Sequence, residues 1–335
     1  MDKSIESNKL NFNYRDDLTI SKLFEPLWAD IREKDQFYNL NPILAHYTSI
    51  EIFESILRNN ELWFSNPFFM NDIAEVKYVL SEAIPLIYID KSIEAACGSS
   101  DRYDEFRNSF KYYYNIFANE HISDTYIFCL SQHEKENTDG SLSMWRGYGC
   151  NGNGVAILID AAKIGVIDDS PLMLSKVKYL TKDELLIDIN KIISSFVVIL
   201  ASSDIPTNKL YLASHNLLER IKLLSLFVKH KGFEEEKEWR IVYQKERDPN
   251  KKLTPMIDYL VRSNSIEPKL KLKIEPLAGV TPDGLSLKNV VDKIILGPSI
   301  SSPIAMAAIQ RMLCKYGQAE LKDKVYTSGI PFRAR

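Results

Sequence analysis

Apolar and polar positions follow two different periods along this chain, and the switches between them divide it into elements. From Pro42 the run Ile43-Leu44-Ala45-His46-Tyr47-Thr48 is short and nearly continuous, which predicts a buried strand. Ser49 stands where a helix N-cap belongs. Ile52, Phe53, Ile56 and Leu57 then recur at helical spacing, predicting a helix over 50–57 that Asn59-Asn60 ends. Glu61-Leu62-Trp63-Phe64-Ser65-Asn66-Pro67 predicts a second short strand leaving into a turn. An amphipathic run over 73–87 and an aromatic-rich segment over 98–124 read as helical, and 125–131 as a strong strand. A polar loop over 133–143 precedes Met144-Trp145-Arg146-Gly147-Tyr148-Gly149, and Gly152 and Gly154 lead into a strand at 155–159. Residues 183–231 read as mostly helical with a break at Pro206, and 238–244 as a strand with Trp239, Ile241 and Tyr243 alternating. After a charged loop at 246–254, strands are predicted at 269–276 and 290–296, a helix over 303–316 and an edge strand at 325–328. In the first forty residues Trp28, Ile31 and Phe37 mark a helical extension.

Short strands interspersed with long helices predict an α+β fold rather than a regular βαβ array. With no repeat, low-complexity tract or clear linker, the expectation is a single composite domain over 1–335. It has an N-terminal helical extension (1–40) and an α+β core (41–335) carrying a helical insertion at about 183–231. Of the 335 residues, 45% are hydrophobic and 26% charged, ordinary values for a globular chain. The net charge of −3, from 42 basic and 45 acidic side chains, argues against a strong global field for nucleic acid. The apolar run at 192–201 is short of the roughly 20 residues of a membrane span and reads as a core helix. There is no charged leader followed by an apolar stretch. Cys97, Cys129, Cys150 and Cys314 are widely and irregularly spaced, which suits free thiols in a reducing compartment. Together these point to a soluble, cytoplasmic protein with no membrane partner.

Four segments carry candidate chemistry. His46-Tyr47-Thr48-Ser49 ends a strand just before a helix N-terminus, where backbone N–H groups attract anions, so His46 is either a ligand or a satisfied core histidine. Leu62-Trp63-Phe64-Ser65 with Met70-Asn71-Asp72 is strand core and a cap, or a binding segment. Cys129-Leu130-Ser131 with Trp145 and Tyr148 frames an aromatic wall for a planar ring, or a turn pinned by two large side chains. In Lys231-Gly232-Phe233-Glu234-Glu235-Glu236-Lys237-Glu238-Trp239-Arg240, strand alternation would turn Glu236 and Glu238 to one face, and Lys237 and Trp239 to the other. Two such carboxylates can divide roles, one stabilising a cationic transition state and one positioning a nucleophile. Alternatively, Arg240 pairs with one of them and the cluster is structural. No Gly-rich phosphate loop and no GxSxG elbow occurs, and His121 and His133 lack metal-spaced partners, so no metal is expected.

In order along the chain, these segments resemble a bacterial family known as domain of unknown function 2971. The residues that carry the resemblance are His46-Tyr47-Thr48, Leu62-Trp63-Phe64-Ser65, Asn71-Asp72, Cys129-Leu130-Ser131, Met144-Trp145-Arg146-Gly147-Tyr148 and Gly154-Val155-Ala156-Ile157. Further on come Lys231, Glu236, Glu238 and Arg240, then Ile294-Ile295-Leu296-Gly297-Pro298 and Ser328-Gly329-Ile330-Pro331-Phe332-Arg333. The tryptophan usual before the first glutamate is replaced by Phe233 as the nearest aromatic. More distantly, the order of the His-x-Thr strand, a Ser-bearing strand and a late Glu-x-Glu is similar to the ADP-ribosyltransferase superfamily. That resemblance implies a split mixed/antiparallel sheet core surrounded by many helices. It implies NAD, consumed as substrate, bound by His46, Tyr47, Thr48, Ser65, Ser131, Trp145, Tyr148 and Arg240. Glu238 would be the catalytic carboxylate and Glu236 would steer a macromolecular acceptor, protein or nucleic acid.

The function expected on this basis is an NAD-consuming ADP-ribosyltransferase or NAD glycohydrolase, of the kind found among toxins and phage-defence effectors with a partner protein in a defence operon. The alternative from a different class is a non-catalytic nucleotide- or ligand-binding sensor. A nucleic-acid-processing enzyme is a third reading, to which only Asp72 and Glu75 point.

Overall fold

The computed structural model describes residues 14–29, 42–70, 73–164, 167, 170–262 and 265–332. The helices among them are α1 (Tyr14–Leu23), α2 (Ile50–Asn59), α3 (Ile73–Ile89), α4 (Lys91–Cys97), α5 (Ser100–Asn119), α6 (Leu142–Gly147), α7 (Lys182–Ser202), α8 (Leu210–Phe227), α9 (Leu287–Val290) and α10 (Pro303–Lys315). The strands are β1 (Ile43–Thr48), β2 (Glu61–Ser65), β3 (Thr125–His133), β4 (Val155–Asp160), β5 (Leu172–Lys176), β6 (Lys178–Leu180), β7 (Val228–His230), β8 (Glu238–Gln244), β9 (Ile257–Arg262), β10 (Ser265–Lys273), β11 (Val291–Leu296) and β12 (Val325–Thr327). Ile31, Phe37, Asn71 and Asp72, named from the sequence, lie outside the described residues, as does Arg333.

The chain groups into two compact units, one of Met1–Lys34, Val79–Ile116 and Asp183–Leu224, the other of Asp35–Tyr78, Phe117–Lys182 and Ser225–Arg335. The first is helical. Within it α7 buries Leu185, Ile189, Ile192, Ile193, Phe196 and Leu200, positions recurring at helical spacing. Among the described residues α7 is the one helix long and apolar enough to cross a membrane by length and composition; it buries this one stripe, while Ile187 and Val198 are exposed. Arg102 donates to the carbonyls of Cys97 and Ile205, and Arg220 to that of Leu27, so long side chains satisfy the carbonyls of chain turns there.

The second unit holds a ten-stranded mixed sheet in the order β12-β11-β4-β1-β3-β2-β10-β9, with β8 pairing to β3 and β5; β6 and β7 form a separate parallel pair. The pairings in the large sheet are antiparallel except β11 with β12. The protein is thus mixed α/β, with a large mixed sheet and many helices. One edge of β3 is shared: β1 pairs with it over Ser131, Gln132 and His133, whereas β2 meets it at Ile127, so the sheet opens between them. One face carries the larger core, in which Phe53, Ile56 and Leu57 of α2 and Ile309 and Leu313 of α10 pack on Leu44, Phe128, Ile157 and Ile241. The other face carries a smaller cluster of Ala45, Tyr47, Met144, Trp145, Ala156, Leu158 and Ile295.

The Ser49 cap is present: its hydroxyl accepts from the Ile52 N–H at 3.2 Å, and Asn60 closes α2 in the left-handed region (φ 55°). Four strands were not expected from the pattern. Val228-Lys229-His230 continues the helical apolar rhythm of α8 and therefore reads as helix, yet it forms β7 against β6. β5 and β6 are short, and their patterns lack a clean alternation of buried and exposed positions, while β9 lies just past the charged loop at 246–254.

Candidate functional site

Residues opposed across a ladder share a face of the sheet, and the registers fix which side chains can meet. Ala45 faces Ser131, and Ser131 faces Glu238, while Cys129 faces Arg240. His46 faces Ile157, and Leu130 faces Trp239. His46 and Thr48 therefore project from the face of the larger core. Tyr47, Ser131, Glu238 and Arg240 project from the opposite one. The NAD site that the resemblance implies, with His46 binding and Glu238 catalytic, needs both on one face of the sheet, and the registers put them on opposite faces.

His46 has a local task. Its ring sits where the sheet opens beside β3, stacks on Phe128 with centroids 4.4 Å apart, and places Nδ1 3.1 Å from the carbonyl oxygen of Cys129. Burial pushes its pKa down to about 4, against the raising effect of that carbonyl, so near neutral pH the ring is uncharged and Nδ1–H donates to the carbonyl. It is a satisfied core histidine. Thr48 is buried beside it in sequence, and its carbonyl lies so near Gly154 that a Cβ there would come within 2.2 Å. The glycine before β4 is a matter of close backbone approach.

Tyr47 and Trp145 meet edge to face, with centroids 4.8 Å apart. The indole donates to the Asp139 carbonyl (2.8 Å) and the Tyr47 hydroxyl accepts from the Ser141 N–H (2.9 Å). Gly140, between those two partners, has φ 78°, and a Cβ on it would lie 2.8 Å from the indole nitrogen. Trp145 is fully buried and Tyr47 nearly so. The reading of Trp145 as a wall for a planar ligand is corrected accordingly: both rings are spent pinning the loop that leads into α6. Ser65, half-buried on β2, accepts from Lys269 Nζ at 2.9 Å.

The remaining predicted residues do converge. Tyr148, just past α6, donates to Glu236 Oε1 at 2.8 Å, and Lys229 Nζ donates to Glu236 Oε2 at 2.7 Å. Lys229 Nζ is also 3.5 Å from Glu238 Oε2. Arg240 grips Glu238 with Nε (2.9 Å) and Nη2 (3.0 Å), and spends Nη1 on the Leu226 carbonyl (2.8 Å). The Glu238 backbone N–H donates to Tyr179 Oη (2.7 Å), and Ser131 Oγ donates to the Glu236 carbonyl (2.6 Å). Glu236 and Glu238 come together, but not through strand alternation. Glu236 ends a 3-10 turn (Lys231–Glu236), Lys237 takes a left-handed conformation (φ 44°), and β8 begins only at Glu238. Lys237 points elsewhere, to Glu134 at 3.1 Å. Burial alone would raise the Glu238 pKa. The charge and hydrogen bonds of Arg240, then the charge of Lys229, outweigh it and hold the carboxyl below its ordinary range.

Two charges of each sign thus occupy one cluster, graded in depth. Lys229, Glu238 and Arg240 are buried, Glu236 is half-buried, and Tyr148 and Phe233 are 41% and 44% exposed. The Phe233 ring lies 4.8 Å from Lys229 Nζ. Lys229 and Tyr179 were missed in the sequence: the lysine hides in an apparently helical stretch, and nothing marks a lone tyrosine in a short strand. On the other face an apolar cavity of about 70 Å³ lies among Ile56, Phe128, Ile159, Ile241 and Leu285. Of its polar liners, Ser170 and Thr281 donate to the Val280 and Glu275 carbonyls and Lys273 to the Asn59 carbonyl. Among the described residues no group of three or more His, Cys, Asp or Glu could hold a metal ion.

Comparison with known families places one match on this cluster. Residues 144–241 match the model of DUF2971, described as a protein of unknown function. The DUF2971 match spans under a third of the chain and takes in Tyr148, Lys229, Glu236, Glu238 and Arg240, while His46, Ser65 and Ser131 fall outside it. Among curated proteins and among solved structures, nothing matches the chain.

Proposed function

We propose that this protein is a non-catalytic ligand-binding module whose ligand is a nucleoside or nucleotide, taken up at Tyr148, Phe233 and Glu236. The observation that carries the reading is the Tyr148 Oη–Glu236 Oε1 contact beside Lys229, with two exposed aromatic rings at the rim of a buried charge cluster. Exposed aromatic rings offer faces for base stacking, worth about 1–3 kcal/mol per base. A carboxylate accepts hydrogen bonds from ribose hydroxyls, and Tyr148 can shift its own hydrogen bond to make room. Phe233 also leaves Lys229 covered, so the deeper charges serve to fix Glu236 in place.

A catalytic reading as an ADP-ribosyltransferase asks for an accessible carboxylate with unspent charge opposite an NAD clamp. Glu238 is buried in a two-pronged bond to Arg240, Glu236 is neutralised by Lys229, and His46 occupies the other face of the sheet. The geometry therefore favours binding over turnover.

The test is thermal unfolding with NAD, ADP and adenosine, run with an assay for nicotinamide release. Ligand at a hundredfold its Kd stabilises the native state by about 2.7 kcal/mol. The expected result is stabilisation by at least one of the three, loss of that shift in Tyr148→Ala and Glu236→Gln, and no nicotinamide release. Absence of any shift would remove the nucleotide reading. Nicotinamide release that disappears in Glu238→Gln would replace it with the enzymatic one.

A further inference from the structure

The apolar cavity of about 70 Å³ on the larger-core face is walled by both arms of the sheet that fork at β3. Ile157 of β4 comes from the arm that runs through β1, and Leu62 and Leu272, opposed across β2 and β10, come from the other. Phe128 and Ile241, opposed across β3 and β8, line it at the junction. Paired strands about 4.8 Å apart bring their side chains into contact; where the arms diverge that contact is lost and a space opens. Protein interiors hold few spaces larger than a water molecule, which needs roughly 10–15 Å³.

The lining selects what the cavity accepts. Ser170 Oγ donates to the Val280 carbonyl and accepts from the Leu172 N–H, and Thr281 Oγ1 donates to the Glu275 carbonyl and accepts from the Leu277 N–H. A buried water looks for about two to four polar partners, and these hydroxyls are already engaged. Among the described lining residues Phe128 is the one aromatic ring, and it stacks on His46. The other apolar liners, Pro282 apart, are isoleucine, leucine and valine. A planar ring therefore finds little to stack on, whereas a flexible chain meets branched aliphatic side chains on every side. Lys273 also lines the cavity with a side chain 42% exposed, so its stem stands between the cavity and solvent. Its ammonium pairs with Glu61 at 2.7 Å and donates to the Asn59 carbonyl, which leaves that rim close to neutral.

We infer that this cavity binds a straight aliphatic chain, which enters past the Lys273 stem and leaves an uncharged, hydrogen-bonding head beside that lysine. A lysine ammonium carries three N–H groups, two of them spent here, so the third can donate to a hydroxyl head. The site lies on the face of the sheet away from Glu238 and Arg240, and it stands apart from the nucleotide reading.

The experiment is calorimetric titration of the full chain with the straight-chain primary alcohols hexanol, octanol and decanol, and with phenol and octanoate for comparison. The expected result is one alcohol bound per chain, with a negative heat-capacity change. Affinity should rise roughly fourfold per added CH₂ and level off once the cavity is filled. Leu174→Phe and Val280→Phe add bulk to two different walls, and each should weaken octanol binding by about tenfold. The length series uses the unaltered chain and decides by itself where a variant fails to fold. The proposal is overturned by the absence of saturable binding, by affinity that climbs with length without levelling, or by folded Phe variants that bind octanol unchanged. Phenol binding as tightly as hexanol would overturn the aliphatic class, and octanoate binding more tightly than octanol would overturn the uncharged head.

Discussion

At the residue scale, the Glu238–Arg240 pair decides how the charge cluster is understood. The sequence left open whether Arg240 serves a ligand or a neighbour, because strand alternation puts positions 238 and 240 on one face in either case. Both side chains are buried, and the guanidinium commits three nitrogens to Glu238 and the Leu226 carbonyl. Breaking a buried pair by removing one partner costs about 3–5 kcal/mol, whereas replacing both by apolar groups of like size is often close to neutral. Here Lys229 stands 3.5 Å from Glu238 and would partly compensate for loss of the arginine, so the lower end of that range applies. Arg240→Leu is expected to destabilise the fold by about 3 kcal/mol in urea unfolding. The double change Glu238→Leu, Arg240→Leu should recover at least half of that loss. If the single change costs under about 1 kcal/mol, the pair is not holding the cluster, and Arg240 becomes available to a ligand.

At the scale of elements, local rules carried far where the chain satisfies itself locally. The cap at Ser49, the left-handed stop at Asn60 and the amphipathic stripe between them are complete within twelve residues, so α2 was legible. Replacing Ser49 by alanine is expected to cost about 0.5–2 kcal/mol, typically near 1, read as a lowered denaturation midpoint with an unchanged slope. A cost near zero would mean that packing of Phe53, Ile56 and Leu57 alone sets the start of that helix. β7 shows the opposite case. Val228-Lys229-His230 has no period of its own, and what makes it a strand is its partner β6, some fifty residues earlier. The site was legible to the same degree. Tyr148, Ser131 and the two glutamates were recognisable by residue type, and they do meet. Lys229, which joins the glutamates, was invisible because it enters through β7. His46 was misassigned because a strand pattern gives alternation but not register, and register with β4 and β3 puts it on the face away from Glu238.

At the scale of the whole molecule, these buried titratable groups make stability a function of pH with a definite sign. His46 has a folded pKa of about 4, and His133 is lowered as well, by burial, against the raising effect of its hydrogen bond with the Asn137 carbonyl. The unfolded values lie near 6.5. Between about pH 6.5 and pH 4 the unfolded chain therefore binds more protons than the folded one, and stability falls as pH falls through that window. Below pH 4 the His46 contribution is flat. Glu238 acts in the adjoining range. Its folded pKa lies below its unfolded value of about 4.3, so its contribution is intact above pH 4.3 and is lost as the pH falls further, through the folded value. Acid sensitivity should accordingly start near pH 6.5, well above the carboxylate range, and continue into it. For His46 the loss is about 3 kcal/mol at most by linkage. The measurement is the urea midpoint at pH 7.5, 5.5 and 4.5 for the unaltered chain and for His46→Gln, whose amide can still donate to the Cys129 carbonyl but does not titrate. The variant should show a shallower fall between pH 6.5 and 4.5. An equal fall in both would mean that His46 is charged in the native state, and the uncharged ring at the opening of the sheet would have to be abandoned.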